Sequence, residues 1–352
     1  MTTRERFLRI LSRQEADRVP IQDSPWAGTI RRWEREGMPH GMDYRDFLDI
    51  DKAEGIGVDI SPRYEERIIE ETDKYAIMTS PWGVTMKYLK EEDTTPEFLD
   101  FTVKDSAIWQ DAKKRMSVDE NRLNLPYLKA NYPKWVSEGR WIEANFWFGF
   151  DVAHSWMSGT ETILIALAIE PEWVIDIVNT YLDRCIAHFD MLWDMGYRFD
   201  TIQWPDDMGY KGTAFFSNET YRQIIQPAHK RAVDYAHKKG VFARLHSCGD
   251  IMKLLPDIVE TGIDILNPIE IKAGMDALGI KAQYGDRLAL HGGINAVLWD
   301  QKDAVIAEIE RCMPTLKQHG GYIFASDHSI PNSVSLCTIQ EVIAAVKHEG
   351  AY

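Results

Sequence analysis

Short apolar runs alternate with longer stretches of helical periodicity through the second half of this chain. The runs fall at 199–204 (FDTIQW), 241–246 (VFARLH), 264–267 (DILN), 288–292 (LALHG) and 321–325 (GYIFA). Each has the length of a buried strand. Helical patterns lie between most of them. After the N-cap candidate Ser217, residues Tyr221, Ile224, Ile225, Ala228, Ala232 and Tyr235 follow 3.6-residue spacing; Ile251, Leu254, Leu255, Ile258 and Val259 do so after Asp250. Strands alternating with helices predict a parallel sheet.

Three further runs occur upstream: RWIEANFWF (140–148), GIGVDI (55–60) and RVPIQDS (18–24). Eight strands predict an α/β fold of the (β/α)8 TIM-barrel type, read as a single domain over 1–352. The first residues form an amphipathic helix, with Thr2 and Glu5 as a capping box and Phe7, Leu8, Ile10 and Leu11 as its stripe. The stretch 61–139 fits no βα unit. Within it, DKYAIMTSPWGVTMKYLK predicts an excursion hairpin turning at Ser80–Gly83.

Composition narrows the function. Lys plus Arg total 40 against 55 Asp plus Glu, a net charge of −15, which disfavours nucleic acid and anionic membrane as partners. Cysteines stand far apart at 185, 248, 312 and 337, unlike a secreted disulfide framework. No run reaches membrane-spanning length, and the N-terminus has no signal-peptide core. A cytoplasmic protein is expected.

Barrel enzymes gather their chemistry where strands end. The polar residues there are Asp23, Asp206, Asp207, His246, Cys248, Glu270, His291, Asn295, Asp327 and His328. His246 and Cys248, two apart, point to one face and suit zinc as neutral imidazole and thiolate. Glu270 and His328 close neighbouring strands, where a converging site needs further ligands. Cys185 and Cys312 fall in helical patterns, as buried small apolar groups do. Asp206 and Asp207 are candidate general acids, or caps of the loop before Lys211. His291 either assists at the site or plugs the core with Asn295. Trp26, Phe146, Trp147, Phe148 and Trp204 sit near strand ends, to bind an aromatic ring, to floor a larger cofactor, or simply to fill the core. His154, His188, His229 and His237 read as helix-surface residues.

The segments RERFLRIL…ADRVP, FFSNETYRQIIQPAHKRAVDYAHKKG, LHSCGDI, DILNPIE, YGDRLALHGGIN and GGYIFASDHSIP together resemble the uroporphyrinogen decarboxylase superfamily, more closely its corrinoid-dependent methyltransferase branch. The resemblance runs from about residue 4 to 345. It implies a barrel, and zinc held by an H-x-C pair with a carboxylate on the following strand and a Cys on the last. His246 and Cys248 match the pair and Glu270 the carboxylate, while His328 stands at the Cys position. The arginine-rich segment with which true uroporphyrinogen decarboxylases grip a tetrapyrrole is replaced by IQDSPWAGTIRRWEREG, whose Arg31 and Arg32 sit in an amphipathic helical setting.

With two thiolates, a carboxylate and a histidine, zinc carries a formal −1; replacing one thiolate by His328 makes the site neutral. A neutral zinc is the better Lewis acid and helps an ether oxygen leave. The resemblance therefore implies an O-demethylase that moves a methyl group from a small-molecule methyl ether to the Co(I) corrinoid of a partner protein, since no stretch remains to form a cobalamin domain. Two alternatives stay open: a methylcorrinoid:thiol or pterin methyltransferase, and a metal-free decarboxylase.

Overall fold

The computed structural model describes residues 1–90 and 95–352. Seven strands form one all-parallel sheet in chain order: β1 (Ala53–Ile56), β2 (Trp141–Asn145), β3 (Thr201–Pro205), β4 (Phe242–His246), β5 (Ile265–Asn267), β6 (Ala289–His291) and β7 (Tyr322–Ile323). In register, Arg244 of β4 lies between Gln203 of β3 and Ile265 of β5, and His246 lies between Pro205 and Asn267. The architecture is an α/β fold on a curled parallel sheet.

The expected strand at 18–24 is present only as bridges. Ile21 pairs in parallel with Phe324 and Pro25 with Ile330. The Phe324 N–H donates to Pro20 O at 2.8 Å, and Asp51 N–H to Ile21 O at 3.2 Å, so this segment reaches from the β7 edge toward β1. Pro20 and Pro25 have no N–H to donate, which prevents a continuous ladder there.

Helix α1 (Thr3–Leu11) begins with the capping box read from Thr2 and Glu5. Its buried Phe7 stacks on Trp141 at 5.0 Å and, with Leu11, joins Ile265, Ala289 and Ile323 in one cluster. Trp141, Ile265 and Ala289 are the first residues of their strands, so α1 covers the end opposite the candidate site. The excursion is larger than one hairpin. Ile68–Glu71, Tyr75–Thr79, Val84–Leu89 and Glu97–Phe101 form a four-stranded antiparallel sheet. Its central turn at Ser80–Gly83 is where the sequence places it, closed by Ser80 N–H to Val84 O at 2.8 Å. Phe98 meets Trp156 edge-on at 5.7 Å, docking the excursion on the segment after β2. No helix among the described residues is long and apolar enough to cross a membrane.

Candidate metal centre and cavity

The ladder between β4 and β5 continues past the regular strands, with Ser247 N–H donating to Asn267 O at 2.8 Å. This carries His246 and Cys248 out together at the strand end. Gly249 follows in the left-handed region (φ +82°), and a Cβ there would lie 2.1 Å from the Gly209 carbonyl carbon. Only glycine lets the loops after β3 and β4 approach this closely. The β3 loop brings Asp207, whose Oδ1 accepts the Cys248 N–H at 2.7 Å.

His246 has a fixed tautomer. Its Nδ1–H donates to Asn267 Oδ1 at 2.6 Å, and Asn267 Nδ2 donates to His291 O at 3.0 Å, which settles the amide's orientation. The Nε2 lone pair is left facing Cys248 Sγ at 3.4 Å and Asp207 Oδ1 at 3.7 Å. A tetrahedral zinc bonded to one nitrogen and one sulfur holds them about 3.5 Å apart. Ligand atoms of Asp207, His246 and Cys248 all lie within 4.8 Å of one another, the one such group of three or more among the described residues. Burial pushes the Cys248 thiol well above its usual range, and the Asp207 and Glu270 carboxylates push it the same way. A thiolate here needs a cation. In chemistry and spacing, the donor set fits zinc.

The other two sequence candidates flank this trio. Glu270 Oε2 accepts the Gly249 N–H at 2.6 Å, and its Oε1 lies 3.5 Å from Lys272 Nζ. His328 is exposed beside Trp26, ring centroids 6.0 Å apart. It lines a cavity of about 400 Å³ together with His246, Cys248, Trp26, Gln22 and Arg244. A second cavity of about 460 Å³ lies on the other side of Cys248, bordered by Tyr210, Lys211, Glu270 and Lys272.

The remaining candidates separate by burial. Asp206 is fully buried, and burial raises its carboxyl above the usual range. Its Oδ2 lies 2.7 Å from His229 Nε2, and His229 Nδ1 lies 3.0 Å from Tyr221 Oη. This chain anchors the loop that presents Asp207. His229, read as a surface residue, is fully buried, as is His188; His154 is nearly so. Helical spacing marks which face a residue occupies, not whether a polar partner waits beneath it. His237 is the exposed one.

His291 is buried and neutral. Its Nε2–H donates to Gln22 O at 2.9 Å, and burial and the neighbouring Arg244 push it down to about 3. It ties the N-terminal segment to β6. Asn295 accepts from Val297 N–H at 3.0 Å as the cap of a short helix and does not line the cavity. Phe146, Phe148 and Trp204 are fully buried: Phe146 stacks on Phe189 at 4.9 Å, and Phe148 meets Trp204 at 5.5 Å. They serve the core, because strand-end aromatics here turn toward the covering helices. Trp147 packs edge-on against Trp156 at 5.6 Å. Of the five aromatic candidates, Trp26 alone lines the cavity beside the trio.

Two further carboxylates matter, Asp151, which the sequence reading did not single out, and Asp327, which it named at a strand end without a role. Asp151 is pushed up to about 7 by burial and by Asp207, so this carboxyl next to the trio is partly protonated at neutral pH. It ends NFWFGFD, and that isolated acid after four aromatics was the available signal. Asp327 is buried and accepts Ile271 N–H at 2.8 Å and Ala296 N–H at 2.7 Å, binding the loops after β5 and β6 to that after β7.

Comparison with known proteins now bears on this arrangement. A methyltransferase from Methanosarcina mazei shares the fold over 99% of each chain, with a TM-score of 0.68 and 15% identity. A B12-independent methionine synthase from Shewanella sp. W3-18-1 is more distant, with a TM-score of 0.44 and 10% identity over 87% of this chain and 83% of its own. No curated protein matches by sequence. The pattern of uroporphyrinogen decarboxylase (URO-D) matches residues 149–349. That span is more than half the chain and takes in β3 to β7 with His246 and Cys248, and the chain belongs to the uroporphyrinogen decarboxylase family.

Proposed function

We propose that this protein is a zinc-dependent methyltransferase that takes a methyl group from a methyl ether and passes it to the Co(I) corrinoid of a separate partner protein. The observation that carries this reading is the meeting of Asp207 with His246 and Cys248, the latter two lining a cavity. Nitrogen, sulfur and oxygen donors together suit zinc, whereas magnesium and calcium take oxygen. Asp207, His246 and Cys248 would hold the ion, and three protein ligands leave a fourth position for substrate, as catalytic zinc requires. One carboxylate and one thiolate make the centre formally neutral, the same charge implied by the sequence through a different ligand set. When bound, zinc supplies Lewis acidity toward the ether oxygen.

The chain's own residues do the positioning. Asn267 holds the His246 lone pair toward the centre, Asp207 also steadies the Cys248 backbone, and Trp26 offers an aromatic face to the substrate. All four cysteines are free, consistent with a reducing cytoplasm. Family membership and the fold shared with the Methanosarcina mazei methyltransferase agree with methyl transfer.

Metal analysis tests the reading. The purified protein should carry one zinc per chain, and Cys248→Ala should lose most of it. Full zinc occupancy in that variant contradicts the assignment.

A further inference from the structure

A further cavity, of about 460 Å³, lies at the other end of the sheet, where β2 to β4 start. Phe242, the first residue of β4, borders it; His246 is the last, about 13 Å away along the strand. Its lining runs against the charge of the molecule. Arg4, Arg140, Arg198 and Lys239 line it with a single carboxylate, Asp200, in a chain whose net charge is −15. Three of these cations are already matched. Arg4 Nε lies 2.8 Å from Asp200 Oδ1, Arg140 Nη1 2.6 Å from Glu54 Oε1, and Lys239 Nζ 2.8 Å from Asp190 Oδ1. Arg198 has no ion pair among the described residues. Its Nη1 donates to Trp193 O at 2.6 Å and Tyr197 O at 3.0 Å, and its guanidinium lies over the Trp193 ring, 4.4 Å from the centroid. Tyr132 Oη holds its backbone, accepting the Arg198 N–H at 2.7 Å. These contacts fix the residue and leave the edge formed by Nε and Nη2 without a partner among the described residues. Arg6 turns the same edge to the Asp17 carboxylate, with both bonds at 2.7 Å.

We infer that this cavity binds an arene carboxylate, whose two oxygens take the Nε–Nη2 edge of Arg198 and whose ring lies on the apolar wall. A planar guanidinium fork matches a carboxylate with two parallel bonds. Leu8 of α1, Val136 of the helix Leu125–Ser137, and Phe199 and Phe242 near the starts of β3 and β4 supply that wall. An inorganic anion leaves the wall in water, and a neutral arene leaves the fork unused. The volume is that of a small-molecule site. It stands apart from the metal end and does not depend on the methyl-transfer reading.

Calorimetric titration of the zinc-loaded protein with 2-naphthoate, 2-naphthamide and acetate tests it. Naphthoate should bind at least roughly tenfold tighter than either of the others, since the amide lacks the charge and acetate lacks the ring. Arg198→Gln removes the fork from an exposed side chain and should weaken naphthoate roughly tenfold. Val136→Glu adds a negative charge to the wall, on a residue 54% exposed, and should weaken it roughly threefold. The melting temperature of each variant confirms an intact fold. Carboxylates also bind zinc, so Cys248→Ala serves as the control: it empties the metal end and should leave the affinity unchanged. Absence of naphthoate binding, equal affinity for the amide, or full affinity in either Arg198→Gln or Val136→Glu overturns the inference. So does an affinity lost in Cys248→Ala, which puts the ligand on the metal instead.

Discussion

Cys248 and His246 were legible because a two-residue spacing at a strand end fixes a shared face before any tertiary contact is known. Asp207 reads as a general acid or a loop cap and not as a ligand, because its meeting with Cys248 depends on the close approach of Gly209 and Gly249 across two loops. Ligand variants separate the two sets. Asp207→Asn should reduce zinc affinity at least about tenfold, while Glu270→Gln, which still accepts from Gly249 N–H, should retain the metal. Zinc content after dialysis against a chelator decides it, and the reverse ranking would restore the ligand set implied by the sequence.

His291 gives a pH prediction at the same scale. The folded protein keeps this imidazole neutral down to about 3, whereas the unfolded chain protonates it near its ordinary 6.5. Its contribution to stability is therefore complete above about 6.5 and is lost as pH falls toward 3. His291→Gln removes this dependence. Between about pH 7 and pH 5, the wild type should lose roughly 2 kcal/mol more than the variant in denaturant unfolding. Equal losses would show that His291 titrates normally.

At the scale of elements, β3 to β6 lie within a residue or two of the sequence assignment, because strands buried on both faces read as unbroken apolar runs. The segment 18–24 carried a similar signal but contains Pro20 and is followed by Pro25, and it forms bridges instead of a strand. Ser217 caps its helix as read, accepting from Thr220 N–H. The next turn, Tyr221–Ile225, is π-helical, ahead of Pro227, which has no N–H to continue the α pattern. No periodicity argument anticipates that. Loop stitching by Asp327 was equally hidden, since its partners are backbone amides. Asp327→Asn turns one acceptor into a donor facing an N–H, and should cost about 1–3 kcal/mol. A melting temperature equal to wild type would show that the three loops are held by other contacts.

For the whole molecule, α1 closes one end of the parallel sheet, the antiparallel excursion packs near the other, and the two cavities bordered by Cys248 open where strands end. The acidic surface and the barrel-type alternation were visible in composition and pattern; the chemistry was visible only as far as residues close in sequence carried it. The measurement that reaches the central claim is transfer of a ¹³C-labelled methyl group from an aryl methyl ether to free cob(I)alamin under anaerobic conditions, with zinc-loaded and zinc-stripped protein side by side. Labelled methylcobalamin should form with the loaded protein and fall to background with the stripped one. A label that stays on the ether despite zinc and cobalt, or that leaves equally well without either, would contradict the account.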